Sequence, residues 1–134
     1  MKTTALIERG KDGTYGVYTP DINSVIIGEG NTVAEAKADF MNSVKEIKEA
    51  YHEHGDKLPD ELNDIEFEFK YDVSALFNVY NWINATQFAK VAGINSSLMR
   101  QYKQGLSYIS EAQTMKIERA FHRFGQELTA VKLL

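Results

Sequence analysis

Ser97, Arg100, Gln101 and Gln104 are spaced three and four apart, so a helix through them presents a hydroxyl, a guanidinium and two amides on one face. These are the side chains that read base edges: Arg pairs in bidentate fashion with guanine, and Gln with adenine. The expected readers are Arg100 for guanine and Gln101 for adenine, with Ser97 and Gln104 beside them in a major groove. Gln87, Asn95, Ser96 and Lys103 are better placed for phosphate oxygens, since they lie at expected helix starts or carry a positive charge.

Two short helices must hold these groups. Asn84 is a good N-cap and Gln87 follows three residues later, the spacing of a capping box, so the first helix is expected to start near Ala85. Phe88 and Ala92 share a face, and Gly93 stands where a left-handed C-cap ends a helix. Ser96 and Ser97 are then expected to cap a second helix running to about Gln104, with Gly105 as its terminator. Met99 and Tyr102 point inward from that helix, and small Ala89 lets it cross the first one closely. The set Phe88, Ala89, Ala92, Gly93, Ile94, Met99 and Tyr102 resembles the helix-turn-helix of the lambda-repressor and Cro-like family, over roughly Asp72 to Leu128. The alternative is an ordinary helical hairpin with no partner.

Charge separates the two readings. The 134 residues carry a net charge of −4, which by itself argues against nucleic acid. Residues 1–71 hold 8 Lys/Arg against 15 Asp/Glu, whereas residues 72–134 hold 7 against 4, so an acidic half of −7 is joined to a basic half of +3. No Asp or Glu occurs from Val73 through Ser110, where Lys90, Arg100 and Lys103 stand. Phosphate contacts need cations and neutral donors, because a nearby carboxylate repels the backbone.

The bounds are those of a folded protein of one or two small domains, 43% hydrophobic and 25% charged. With no Cys there are no disulfides and no thiolate chemistry, which fits a reducing compartment. No apolar run reaches transmembrane length and the first residues lack a signal-peptide core, so a cytoplasmic protein without membrane contact is expected.

The acidic half reads as a sheet with one helix. Lys2–Arg9 and Thr14–Thr19 form a hairpin across Gly10–Gly13, and Val25–Gly28 makes a third strand after Pro20 and Asp21 break the second. Thr32 and Glu35 form a capping box for the clearest helix in the chain, with Val33, Ala36, Phe40, Val44, Ile47 and Tyr51 on its apolar side. Ile65, Phe67, Phe69 and Tyr71 then alternate with Glu66, Glu68 and Lys70 as a half-buried fourth strand. The expected fold class is α+β: residues 1–71 as a small antiparallel sheet under one helix, and residues 72–134 as an all-α domain.

Gly16, Val17, Tyr18, Pro20, Asp21 and Ile22, followed by Gly28, Thr32, Glu35 and Ala36, resemble the N-terminal domain of HicB-type antitoxins over about Leu6 to Tyr51. That family continues with Pro-Gly-Cys where this chain has Asn23, Ser24 and Val25. The resemblance implies a degenerate ribonuclease H-like fold that binds a small HicA-type ribonuclease toxin, with a C-terminal domain that represses the operon.

In the basic half, Asp72 is expected to cap a helix from Val73 to about Tyr80, with Leu76, Phe77 and Tyr80 inward and Trp82 and Ile83 seating the following loop. Ser110 and Gln113 form a further capping box for a helix carrying Met115, Ile117, Ala120, Phe121 and Phe124 inward and ending at Gly125. Lys116, Arg119 and Arg123 are read as its solvated face. The apolar tail, Leu128, Val131, Leu133 and Leu134, needs burial, most simply against a second copy. A homodimer also suits a repressor, because paired recognition helices read half-sites one helical turn apart.

An enzyme is the rival class. A metal-dependent nuclease needs converging carboxylates; Asp21, Glu66 and Glu68 form no recognisable cluster, and His52 and His54, two apart on a helix, diverge. The reading is therefore a non-enzymatic DNA-binding antitoxin and autorepressor with no metal and no cofactor. A stand-alone regulator with a sensing N-terminal domain is the alternative, and a nuclease a more distant one.

Overall fold

Turn chemistry closes the first hairpin. Asp12 Oδ1 accepts from the Thr14 hydroxyl at 2.7 Å and from its N–H at 3.0 Å, and Gly13 takes a left-handed φ of 85°. The computed structural model describes residues 1–134, which divide into two compact units, Met1–Lys70 and Tyr71–Leu134. In the first, β1 (Lys2–Arg9) pairs antiparallel with β2 (Tyr15–Tyr18), and β2 with β3 (Ile27–Gly30). A fourth strand, β4 (Glu66–Asp72), completes the order β3-β2-β1-β4.

The expected sheet was antiparallel throughout, and β4 departs from that. The Glu66 N–H donates to the Met1 carbonyl at 2.9 Å, so the start of β4 lies beside the start of β1. Two strands that neighbour each other and both run forward from that bond are parallel, and the sheet is mixed. The long connection explains it, since a parallel neighbour needs a crossover and the helix α1 (Val33–Glu53) supplies one.

Register decides which face α1 covers. Ile7, Val17 and Gly28 lie directly opposite one another and share a face. Any Cβ at Gly28 would collide with the α1 backbone at Ala36 and Phe40, so the glycine is what lets helix and sheet approach. Ala36 and Phe40 are fully buried there, and Phe40 stands edge-on to Phe67 at 5.0 Å and to Phe69 at 5.9 Å. Glu66 and Glu68 are exposed, as the alternation requires. The Thr32 hydroxyl caps α1 by accepting from the Glu35 N–H, whereas the Glu35 carboxylate accepts from the Asn31 N–H instead of closing the box on Thr32.

The third strand begins two residues later than the expected Val25–Gly28, because Ser24 is held elsewhere. Glu61, in a single 3-10 turn at Asp60–Leu62, accepts from the Ser24 hydroxyl at 2.5 Å, the Ser24 N–H at 2.8 Å and the Asn23 N–H at 3.2 Å. Asn23 and Ser24 thus make a turn closed by a carboxylate. The Ser24 hydroxyl, and next the Asn23 N–H, hold the Glu61 carboxyl below its ordinary 4.5.

The second unit contains α2 (Ser74–Val79), α3 (Ala85–Ala92), α4 (Ser96–Gln104) and α5 (Glu111–Thr129), with a single bridge between Tyr71 and Ile109. Phe77, Phe88, Met99, Tyr102, Ile109 and Ile117 are buried together in its core. Phe88 meets Phe77 at 6.0 Å and Phe121 at 4.7 Å. Three expectations fail here. Trp82 is 63% exposed although Ile83 beside it is buried, Met115 is exposed, and Tyr80 is only partly covered. The tail from Leu128 onward is open within the single chain. The last helix also runs through Gly125 to Thr129, because its N–H ladder continues and Ala130 closes it. A glycine ends a helix only where the chain turns left-handed, and here it does not. No helix is long and apolar enough to cross a membrane.

Gly28→Ala is expected to destabilise the protein by about 1–3 kcal/mol through forced separation of α1 from the sheet. Gly16→Ala, whose Cβ would meet nothing, should leave the urea midpoint nearly unchanged. Because Glu61 has a lowered pKa, its bonds are intact above its ordinary 4.5 and fade as pH falls through the lowered value. Wild type should therefore lose more stability than Glu61→Gln between about pH 6 and about pH 3, followed by thermal melting.

Candidate nucleic-acid interface

The α3–α4 pair is built from its caps. Asn84 Oδ1 accepts from the Gln87 N–H at 3.0 Å and starts α3, and Gly93, at φ 72°, stops it. Two residues later Asn95 caps α4, its Oδ1 accepting from the N–H groups of Ser97 and Leu98 at 2.9 and 3.2 Å. Sequence spacing had assigned this cap to Ser96 and Ser97. Asn95 wins because it holds the extended backbone that lets its oxygen reach two orphan donors, while Ser96 is already the first helical residue. Gly105, at φ 73°, ends α4.

Met99 and Tyr102 are buried, which leaves Ser97, Arg100, Gln101 and Gln104 exposed on the opposite side of α4. Arg100 lies across the pair: one nitrogen donates to Ser97 Oγ and another to Thr86 Oγ1 on α3, both at 3.1 Å. Its guanidinium is thereby held over the outer face with donors left to spare, since Arg has five. Gln101 Oε1 accepts from the Ser107 hydroxyl at 2.8 Å, which fixes the amide and ties it to the segment after α4. Gln87 is exposed at the α3 start, Ser96 and Lys103 are half-covered, and Asn95 has committed its oxygen to the cap, so only its NH2 can meet a phosphate.

Thr86 and Ser107 are the two members that sequence spacing did not supply. Thr86 is 14 residues from Arg100, and no helical period links them; only the crossing of α3 and α4 does. No carboxylate occurs from Val73 through Ser110, so none from these elements stands among the exposed groups. The surface offers neutral donors and cations to an anionic, hydrogen-bonding partner.

The acidic unit offers no comparable assembly. No group of three or more His, Cys, Asp or Glu side chains is gathered to hold a metal, and His54 Nδ1 is engaged with the Ala50 carbonyl at 2.7 Å. Family models, curated proteins and solved structures give no match to this chain.

Asn95→Ala should cost about 0.5–2 kcal/mol, because it removes the acceptor of two helix-start donors. Ser96→Ala should be close to neutral in the same thermal melts. Loss in Ser96→Ala with Asn95→Ala neutral would place the cap on the serine instead.

Proposed function

We propose that the chain is a DNA-binding autorepressor of a type II toxin–antitoxin operon, reading operator DNA through a helix-turn-helix made by α3 and α4. One observation carries the reading. Arg100 is held between Thr86 and Ser97 on an outer face that also shows Gln101 and Gln104, and the surrounding segment from Val73 through Ser110 has no acidic residue. A guanidinium fixed in this way enters a groove with part of its ordering entropy already spent. Arg100 and Gln101 discriminate bases, with Ser97 and Gln104 alongside. Gln87, Asn95, Ser96 and Lys103 hold phosphates and set the register.

The N-terminal unit is the toxin-binding half in this proposal. Its support is the resemblance of Gly16–Ile22, Gly28, Thr32, Glu35 and Ala36 to HicB-type antitoxins. The order β3-β2-β1-β4, with β4 parallel to β1 and one helix across, suits a ribonuclease H-like ancestry. The unit's excess of acidic residues suits a basic, RNA-cleaving partner.

The test is binding of the purified protein to duplex DNA from upstream of its own reading frame, against a scrambled duplex, across a salt series. Arg100→Ala should cost about 1–3 kcal/mol at one base position, whereas Lys103→Ala should weaken all duplexes alike and flatten the salt slope by about one. Equal loss on cognate and scrambled DNA after Arg100→Ala would remove its specific role, and no binding at low salt would sink the proposal.

A further inference from the structure

The chain that leaves α4 turns back onto the face of that helix. Gly105 takes a left-handed φ of 73°, and its N–H donates to the Tyr102 carbonyl at 3.2 Å while the Leu106 N–H donates to the Gln101 carbonyl at 2.9 Å. A few residues further on, Ile109 exchanges two backbone hydrogen bonds with Tyr71, at 2.8 and 2.9 Å. Ser107 lies between these anchors and is half-covered, so its hydroxyl is presented from a segment pinned at both ends. It meets Gln101 Oε1 at 2.8 Å, the usual length of an O–H···O bond and below the usual length of an N–H···O one. The amide oxygen is therefore turned toward the protein, and the NH2 group is the outer end of an exposed side chain.

We infer that Gln101, held by Ser107, reads guanine and discriminates against adenine, the reverse of what its residue type alone suggests. The inference rests on the operator reading and adds Ser107 as the positioning residue that sets its specificity. A glutamine pairs with adenine through both ends of its amide, the oxygen accepting from N6 and the nitrogen donating to N7. Here the oxygen faces Ser107, so adenine meets an NH2 group whose hydrogens point at its own N6 donors. Guanine instead offers N7 and O6, two acceptors side by side, and one NH2 carries two hydrogens to meet them. Thymine has a single acceptor at O4 and cytosine presents only N4 donors, so the order of preference is guanine, thymine, adenine, cytosine. Turning the amide over would strip the Ser107 proton of its acceptor in the chain. Arg100 is also a donor alone, so the operator carries guanine at the positions of both readers.

The experiment is a panel of duplexes from upstream of the reading frame, carrying every single base-pair change, bound by wild type, Gln101→Ala, Arg100→Ala and Ser107→Ala. The position at which Gln101→Ala erases discrimination is the one Gln101 reads. Wild type should bind guanine there at least about ten-fold more tightly than adenine, and Ser107→Ala should bring that ratio to within about three-fold. The preference at the position assigned by Arg100→Ala should persist in Ser107→Ala; loss of both preferences together would mark a general disturbance of α4 and overturn the role of Ser107. The premise is also read without DNA. By NMR relaxation of the free protein, the Gln101 side-chain amide should move less than that of exposed Gln104, and the difference should vanish in Ser107→Ala. Adenine bound as tightly as guanine at the Gln101 position, no position that depends on Gln101, or an amide as mobile as that of Gln104 would overturn the inference and leave the operator reading standing. Failure to bind any duplex at low salt would sink both.

Discussion

The methyl group of Ala89 is where the second unit closes. Its side chain is fully buried and its carbonyl accepts the N–H groups of both Gly93 and Ile94, so the end of α3, the left-handed turn and the entry to α4 converge on one small residue. A larger side chain would push α4 away, because a packed interior has no slack to absorb even a few methylenes. Displacing α4 would pull Arg100 off Thr86, which is the bond that spans the two helices. The exposed face therefore depends on the buried one.

The first unit obeys the same logic with a different residue. Gly28 brings sheet and helix into contact, Phe40 fills the space between them, and Phe67 and Phe69 close on Phe40 from β4. Local polar bonds then finish what packing begins. Glu61 holds the turn at Asn23 and Ser24 from a position nearly forty residues later. In each unit a small residue, Gly28 in the first and Ala89 in the second, is buried where elements meet, and hydrogen bonds of ordinary strength keep the loops around it in place.

Much of this was legible in the residues. Caps at Asn84, Thr32 and Ser110 and terminators at Gly93 and Gly105 announce themselves, since a helix end needs a side-chain acceptor or a left-handed residue within one turn. The inward set Phe88, Met99 and Tyr102 and the outward set Ser97, Arg100, Gln101 and Gln104 followed from helical period alone. Where two residues competed for one local role, as Asn95 and Ser96 did for the α4 cap, period was silent and backbone angle decided. The same holds for Gly125, a possible stop that the surrounding ladder overrode.

What the sequence determined by itself was local: which segments are helix or strand, which face of each is apolar, and how charge is divided between the halves. These depend on neighbours within a few residues, and the chain carries that information directly. What only tertiary structure decided was every relation across distance: β4 parallel to β1, Glu61 on Ser24, Thr86 under Arg100, and the exposure of Trp82 and Leu128. No periodicity encodes these, because they arise where separately specified elements meet and are fixed by the packing that joins them.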